Sequence, residues 1–383
     1  MKPLHFACRL VAAMAALASA PVFAQTPPTV AEALKPYVDK QWLAGAVTMV
    51  ADKDKVLGVE TVGYADIENS KMMAPNTVFW IASQSKPITA AGLMLLVDDG
   101  KVNVDDPVEK YLPEFNDLWV AAESDKDHIL LKRPSRKVTI RDVLSHMSGM
   151  PFISAMERPT LDALTLKDAV RSYAMTPLVS EPGTKYLYSN CGINVAGRII
   201  EVVSGMPYEE FMEKRLFAPL GMKETSFWPT AEQMTRLAKT YTPTADKKGL
   251  QAKNTPFLTT PYSDRKRHIM PAGGYFSTAD DVVRFCQMML NQGTFQGKRI
   301  LSEASVKEMT KRQTPEAVKT SYGLGWAAGE GRFGHGGALG TDMSIDTKRG
   351  LVTVFLVQHM GFAGEGNQSQ GVFRKTAEAK YAK

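Results

Sequence analysis

The sequence predicts an α/β protein of the α+β type: one antiparallel sheet with flanking helices, formed by both chain ends, plus an inserted all-helical domain. Three observations carry this. Strand-like runs lie near the two ends of the chain. Helix-like runs fill the middle. Strands and helices segregated in this way pack as a sheet with helices on it. The run "LVTVFLV" (351–357) is apolar without a break, as expected of a strand covered on both faces. The expected division is 1–24 as a leader, 25–100 together with 245–383 as the sheet domain, and 101–244 as the helical domain.

The leader comes first. Lys2 and Arg9, then "LVAAMAALASA", then "VFA" before Gln25 give a charged region, an apolar stretch and a small-residue cleavage site. The apolar stretch is short of the ~20 residues that a membrane span needs. Cleavage after Ala24 would place the protein in the periplasm or outside the cell, with no membrane anchor left. Of the three cysteines, Cys8 falls in this leader. Cys191 and Cys286 would remain, either as a disulfide or as two buried thiols.

A helix is expected from Val30 to about Trp42. In "AVTMVADKDKVLGVETVGYAD" two β-rich runs flank the polar "DKDK", the pattern of a hairpin. The stretch "FWIASQSKPITAAGLMLLVDDGK" (79–101) runs from a strand-like start into a buried helix that Gly100 ends. "VTIRDVLSHMSGMP", "TLKDAVRSYAM", "CGINVAGRIIEVVSG" and "PYEEFMEKRLFAPLG" follow as helices, most of them closed by Gly or Pro. The β texture returns near residue 250, in "SYGLGWAAGEGRFGHGG" and "GTDMSIDTKRGLVTVFLVQHM".

The net charge of +6 is modest for 383 residues and is scattered. Its densest patches, "KRPSRK" (132–137) and "DRKRH" (264–268), read as solvated loop surface. Neither interleaves aromatic residues, so no nucleic-acid partner is expected.

The chemistry gathers in three places. In "SQSK", helical spacing sets Ser83 beside Lys86. A serine hydroxyl needs a neighbouring base, and a lysine serves if burial or nearby charge lowers its pKa. Pro87 is tolerated in the first helical turn, where amides lack helical partners. Those amides and the helix dipole favour an oxyanion. The spacing alone is weak, since about one or two S-x-x-K matches arise by chance in such a chain. "SDRK" (Ser263 to Lys266) is a second match, but no apolar helix follows it. Ser85 is a rival nucleophile that points elsewhere.

The second place is "KYLYSNCG", with Tyr188 and Asn190 in the only Y-x-N among 12 tyrosines. A phenol near a lysine can carry protons, and an asparagine can hold both the lysine and a substrate amide. The competing readings are a half-buried anchor for Tyr188 and a helix cap for Asn190. The third place is "FGHGGALG", with His335, Gly336 and Gly337 late in a strand-like run. Glycine there marks a close approach, and the Ala338 amide would be a second oxyanion donor beside that of Ser83. A turn histidine is the competing reading for His335. His146, in "LSHMSG", reads as structural near a helix end. His128, His268 and His359 lack metal-ligand spacing. Trp80, Phe152, Tyr186 and Trp326 are candidate pocket walls, though such residues are more often core.

S-x-x-K, Y-x-N and H-x-G in this order resemble the serine β-lactamase and penicillin-binding protein superfamily. The spread is similar to the class C branch, with its β-lactamase-like esterases, D-Ala-D-Ala carboxypeptidases and D-aminopeptidases. "GKVNVDDPVEKYLPEF", "EPGTKYLYSN", "FAPLGM" and "PAGGYFSTADDVVRF" share its texture. The resemblance implies Ser83 as acylated nucleophile, Lys86 as its proton partner and Tyr188 as general base and acid. It implies Asn190 as holder of substrate and lysine, and the amides of Ser83 and Ala338 as oxyanion hole. It implies acyl transfer to serine and then to water, with no metal or organic cofactor. One departure matters: class C β-lactamases have Lys-Thr-Gly where this chain has His335-Gly336-Gly337. Histidine is a weaker, pH-dependent cation and the threonine hydroxyl is gone, which loosens recognition of a carboxylate. The expected activity is hydrolysis of a small carboxylic ester or amide. The alternatives are a D-Ala-D-Ala carboxypeptidase or D-aminopeptidase, a class C-like β-lactamase, and a penicillin binder or scaffold that does not turn over.

Overall fold

The computed structural model describes residues 28–382; the expected leader, with Cys8, lies outside them. The helices that frame the site are α1 (Val30–Asp39), α2 (Ser85–Asp98), α3 (Ile140–Leu144), α4 (Leu166–Ala174), α5 (Asn190–Ser204), α6 (Ala279–Leu290) and α7 (Ser369–Tyr381). Side chains set their starts. Thr29 and Glu32 form a reciprocal capping box on α1, and Thr139 and Asp142 do so on α3. Ser189 caps α5, accepting from the Gly192 N–H, and Gly205 ends it at φ 70°.

Both chain ends build the main sheet. The amino-terminal part supplies β1 (Gly45–Ala51), β2 (Val56–Asp66) and β3 (Lys71–Met72). The carboxy-terminal part supplies β4 (Ala327–Gly329), β5 (Arg332–Gly336), β6 (Asp342–Asp346) and β7 (Leu351–Leu356). The order is β4-β5-β6-β7-β1-β2-β3, antiparallel throughout. The seam pairs β7 with β1, with Val47 opposite Leu356. All residues of both strands are buried, because each face has its own cover. Val50, Leu351 and Phe355 meet Val30 and Leu34 of α1 and Phe373 and Ala377 of α7. Val47, Val352 and Val354 face the main core, which includes Val282, Phe285 and Met289 of α6. That double cover is why "LVTVFLV" is unbroken.

Helix α2 runs through the same core, buried from Ser85 to Leu96. It lies close to α5: a Cβ on Gly92 would come within 3.3 Å of Ile200 Cδ1. A Cβ on Gly192 of α5 would sit 2.7 Å from the Val143 carbonyl, so α3 and α5 also touch closely.

The inserted segment is not all helical. Val120–Ser124 and Ile129–Lys132 form a two-stranded hairpin. Its second strand, "ILLK", is exposed at every position. With neither face covered there is no alternation of apolar and polar residues, and the periodicity that marks a strand is missing. Cys191 and Cys286 are two free thiols, both buried, and burial pushes both well above the ordinary thiol range. Among the described residues, no helix is long and apolar enough to cross a membrane.

Candidate active site

The Ser83 segment is delivered by a short pairing. Phe79–Trp80 pairs with Phe276–Ser277, and the chain turns through a 3-10 turn, Ala82–Gln84, into α2. Ala82 sits at φ 47°, a left-handed conformation that costs any residue with a Cβ. That tight reversal sets Ser83 at the mouth of the helix. Ser85 points away: its hydroxyl is fully buried and donates to the Ala82 carbonyl at 2.7 Å. Ser263 lies in an irregular turn with Lys266 exposed beside it.

Lys86 is fully buried. Its Nζ lies 3.1 Å from Ser83 Oγ, 2.8 Å from Asn190 Oδ1 and 2.8 Å from the Ala272 carbonyl. Burial lowers its pKa from 10.5 to about 7. The Asn190 and Ala272 oxygens can only accept. A neutral amine therefore gives them its two N–H groups and turns its lone pair to the Ser83 hydroxyl. Asn190 is free for this because Ser189, one residue earlier, is the cap of α5.

Tyr188 closes the group. Lys86 Nζ stands 4.7 Å from the centre of its ring. Burial holds its phenol well above the ordinary value, and a hydrogen bond with Ser83 offsets part of that.

His335, at the end of β5, is placed otherwise than the sequence suggested. Its Nδ1 lies 2.7 Å from the Gly336 carbonyl and its Nε2 2.9 Å from the Tyr322 hydroxyl. A carbonyl only accepts, so Nδ1 carries the proton and Nε2 accepts from Tyr322. Burial, then the nearby Lys86, bring its pKa down to about 3. His335 is therefore neutral at physiological pH, and both ring nitrogens are engaged within the protein. The weak cation expected here is absent.

The glycines after it do mark a close approach. A Cβ on Gly337 would lie 2.1 Å from Thr341 Oγ1 and 2.5 Å from the Ile81 carbonyl. This contact brings the Ala338 turn against the Ser83 segment. Ser83, Asn190 and Ala338 then line one narrow slot of about 50 Å³. The expected walls Trp80 and Phe152 are there, with Leu161, Phe257 and Met270. Tyr186 packs instead on His146 and Tyr322. Trp326 is core, between Phe285 and Phe333. Leu161, Phe257 and Met270 sit on irregular segments, where no periodicity marks them.

Those segments are held by a buried ion pair. Arg267 Nε meets Asp162 Oδ2 at 2.7 Å, with both side chains almost wholly buried. Asp162 also accepts from the amide and hydroxyl of Thr259. Arg267 donates to the Phe227 and Tyr262 carbonyls. So "DRKRH" is not all solvated surface: its second arginine is an internal tie.

Residues 30–371 match the family model described as Beta-lactamase. The chain belongs to the beta-lactamase family. Two relatives cover most of this chain. It is 32% identical over 391 residues to Protein Rv1367c of Mycobacterium tuberculosis, covering 90% of this chain and 94% of that one. It is 28% identical over 310 residues to a Salmonella agona protein named "Putative D-alanyl-D-alanine carboxypeptidase", covering 73% and 69%. The fold is similar to that of EstCE1, described as a hydrolase with promiscuous acyltransferase activity. There the TM-score is 0.77 at 24% identity, covering 91% of this chain and 97% of that one. A penicillin-binding protein homolog from Caulobacter crescentus superposes with a TM-score of 0.71 at 20% identity, covering 92% and 98%. The beta-lactamase fold is thus shown, and this beta-lactamase-family chain is an enzyme of the serine hydrolase type.

Proposed function

We propose that the protein hydrolyses small, uncharged carboxylic esters or amides through an acyl-Ser83 intermediate. The observation that carries this reading is the lining of the slot. Trp80, Phe152, Leu161, Phe257 and Met270 wall it, and no cationic side chain lines it. The neighbouring His335 is neutral and internally bonded. A carboxylate on the substrate would meet no fixed positive partner there, and burying an unpaired charge is costly.

In this reading the neutral Lys86 takes the Ser83 hydroxyl proton as Oγ attacks the carbonyl carbon. The amides of Ser83 and Ala338 hold the oxyanion. As the ester C–O bond breaks, the leaving oxygen takes a proton from Tyr188, which Lys86 re-supplies. Water then attacks the acyl-enzyme, giving up its proton along the same route. The acid leaves and Ser83 regains its hydroxyl. Tyr188 acts as a neutral phenol that passes protons, since burial opposes its phenolate. We place the activity in the periplasm or outside the cell, on the strength of the leader-like first residues.

The test is a substrate panel with an intact-mass time course: p-nitrophenyl acetate and butyrate, benzylpenicillin, a cephalosporin and a D-Ala-D-Ala peptide. Turnover of the esters with an adduct mapping to Ser83 is expected. Efficient cleavage of the cephalosporin, with esters barely touched, would sink the proposal. Release of D-Ala as the dominant activity would favour a second reading, carboxypeptidase, which the Salmonella relative supports.

A further inference from the structure

His146 follows α3 and takes no part in the steps above. It holds a left-handed backbone, φ 60°, uncommon outside glycine, though asparagine, aspartate and histidine adopt it more often than other residues. It is fully buried. Its carbonyl accepts from the Leu187 amide at 2.9 Å. Its Nδ1 accepts from the Ser189 amide at 3.2 Å. Its ring packs on that of Tyr188, with centres 4.5 Å apart. Three restraints from one residue thus converge on Tyr188, one on each flanking amide and one on the ring.

We propose that His146 is a positioning residue, which holds Tyr188 against Ser83 and Lys86 by gripping the backbone on both sides of it. The inference rests on the reading of Tyr188 as the proton carrier.

Packing or turn formation alone does not explain a histidine here. A glycine would adopt the backbone without strain. A leucine would fill the space without burying a side-chain nitrogen that has no partner, as His146 Nε2 is. What histidine adds is the Nδ1 acceptor for Ser189. The acceptor requires a neutral ring. The titratable groups facing it are Lys86 of α2, His335 of β5, and Tyr186, Tyr188 and Tyr322. Burial is the main cause that keeps the ring uncharged, and Lys86 and His335 add to it.

The experiment compares His146→Leu with His146→Asn in the full-length enzyme. Leucine keeps the bulk and loses the acceptor. Asparagine tolerates the backbone and offers Oδ1 close to where Nδ1 stood. Thermal unfolding confirms that each variant folds. His146→Leu should lose about 100-fold in kcat, with KM changed by less than about twofold, the size expected when a proton carrier is misplaced by about 1 Å. His146→Asn should recover most of that loss. If the leucine variant does not fold, His146→Gln replaces it, with the acceptor one bond too far out. Wild-type kcat in the leucine variant, or equal losses in Asn and Leu (or Gln), would overturn the proposal. Tyr188→Phe separates the two claims. Full activity there overturns the role of Tyr188 itself. An inactive Tyr188→Phe beside a fully active His146→Leu overturns only the positioning.

Discussion

Burying the Lys86 amine should cost the protein stability at neutral pH, by an amount that shrinks as pH rises. Its pKa falls from 10.5 to about 7 on burial. Between those values the unfolded chain holds a proton that the native chain has released, so stability rises with pH across that window. At about 1.4 kcal/mol for each pH unit, the penalty is about 4 kcal/mol at pH 7 and shrinks to zero above pH 10.5. Lys86→Met removes the penalty. It also leaves Asn190 Oδ1 and the Ala272 carbonyl without their donor, at about 1–3 kcal/mol each. That loss does not depend on pH, so the slope isolates the charge. In urea unfolding, wild type should gain about 2 kcal/mol relative to Lys86→Met between pH 7 and 9. The kcat/KM of the wild type should fall below about pH 7, as Lys86 takes up a proton. Parallel stability curves for the two proteins over that range would refute the lowered pKa and the free amine with it.

Three further outcomes follow from the geometry. Ser83→Ala should abolish ester turnover and the mass adduct while leaving unfolding unchanged, whereas Ser263→Ala should alter neither. Gly337→Ala should drive a methyl into Thr341 Oγ1 and the Ile81 carbonyl, displace the Ala338 amide and lower kcat by about 100-fold, the scale of a lost oxyanion donor; steady-state kinetics on p-nitrophenyl acetate reads it. Asp162→Ala should leave the Arg267 guanidinium buried without its carboxylate and cost roughly 3–5 kcal/mol in urea unfolding.

What the sequence disclosed, and what it hid, divides along a physical line. The seam of the sheet was legible because β1 and β7 are covered on both faces, and burial writes itself as unbroken apolar runs. Ser83 and Lys86 were legible because three residues of helical spacing fix their geometry locally. The "ILLK" strand was hidden because nothing covers it. The state of His335 was hidden too. Its charge depends on Tyr322, on its neighbour's carbonyl and on burial, and only the first and last of these require the folded chain. The contacts of His146 were hidden for a similar reason. Its bond to Ser189 spans a long stretch of chain, and no local pattern announces it. The strain at Ala82 was hidden as well, since it is visible only as a dihedral angle.

The protonation states of the site form one coupled arrangement. The charge of Lys86 is opposed by burial. Lys86 in turn opposes protonation of His335 and of His146. Were His335 charged, its Nε2 would lose the acceptor role that Tyr322 uses. Were His146 charged, the Ser189 amide would lose its acceptor. Each imidazole must therefore stay neutral for the packing to hold, and each does so partly because of the amine. A lysine in place of His335 would bring a second amine toward Lys86, and like charges disfavour one another in such a setting. A site organised in this way gains a free amine near neutral pH and gives up a fixed cation for a substrate carboxylate. Uncharged esters make no use of that cation, so the neutral His335, held by Tyr322, supports the same reading as the apolar walls of the slot.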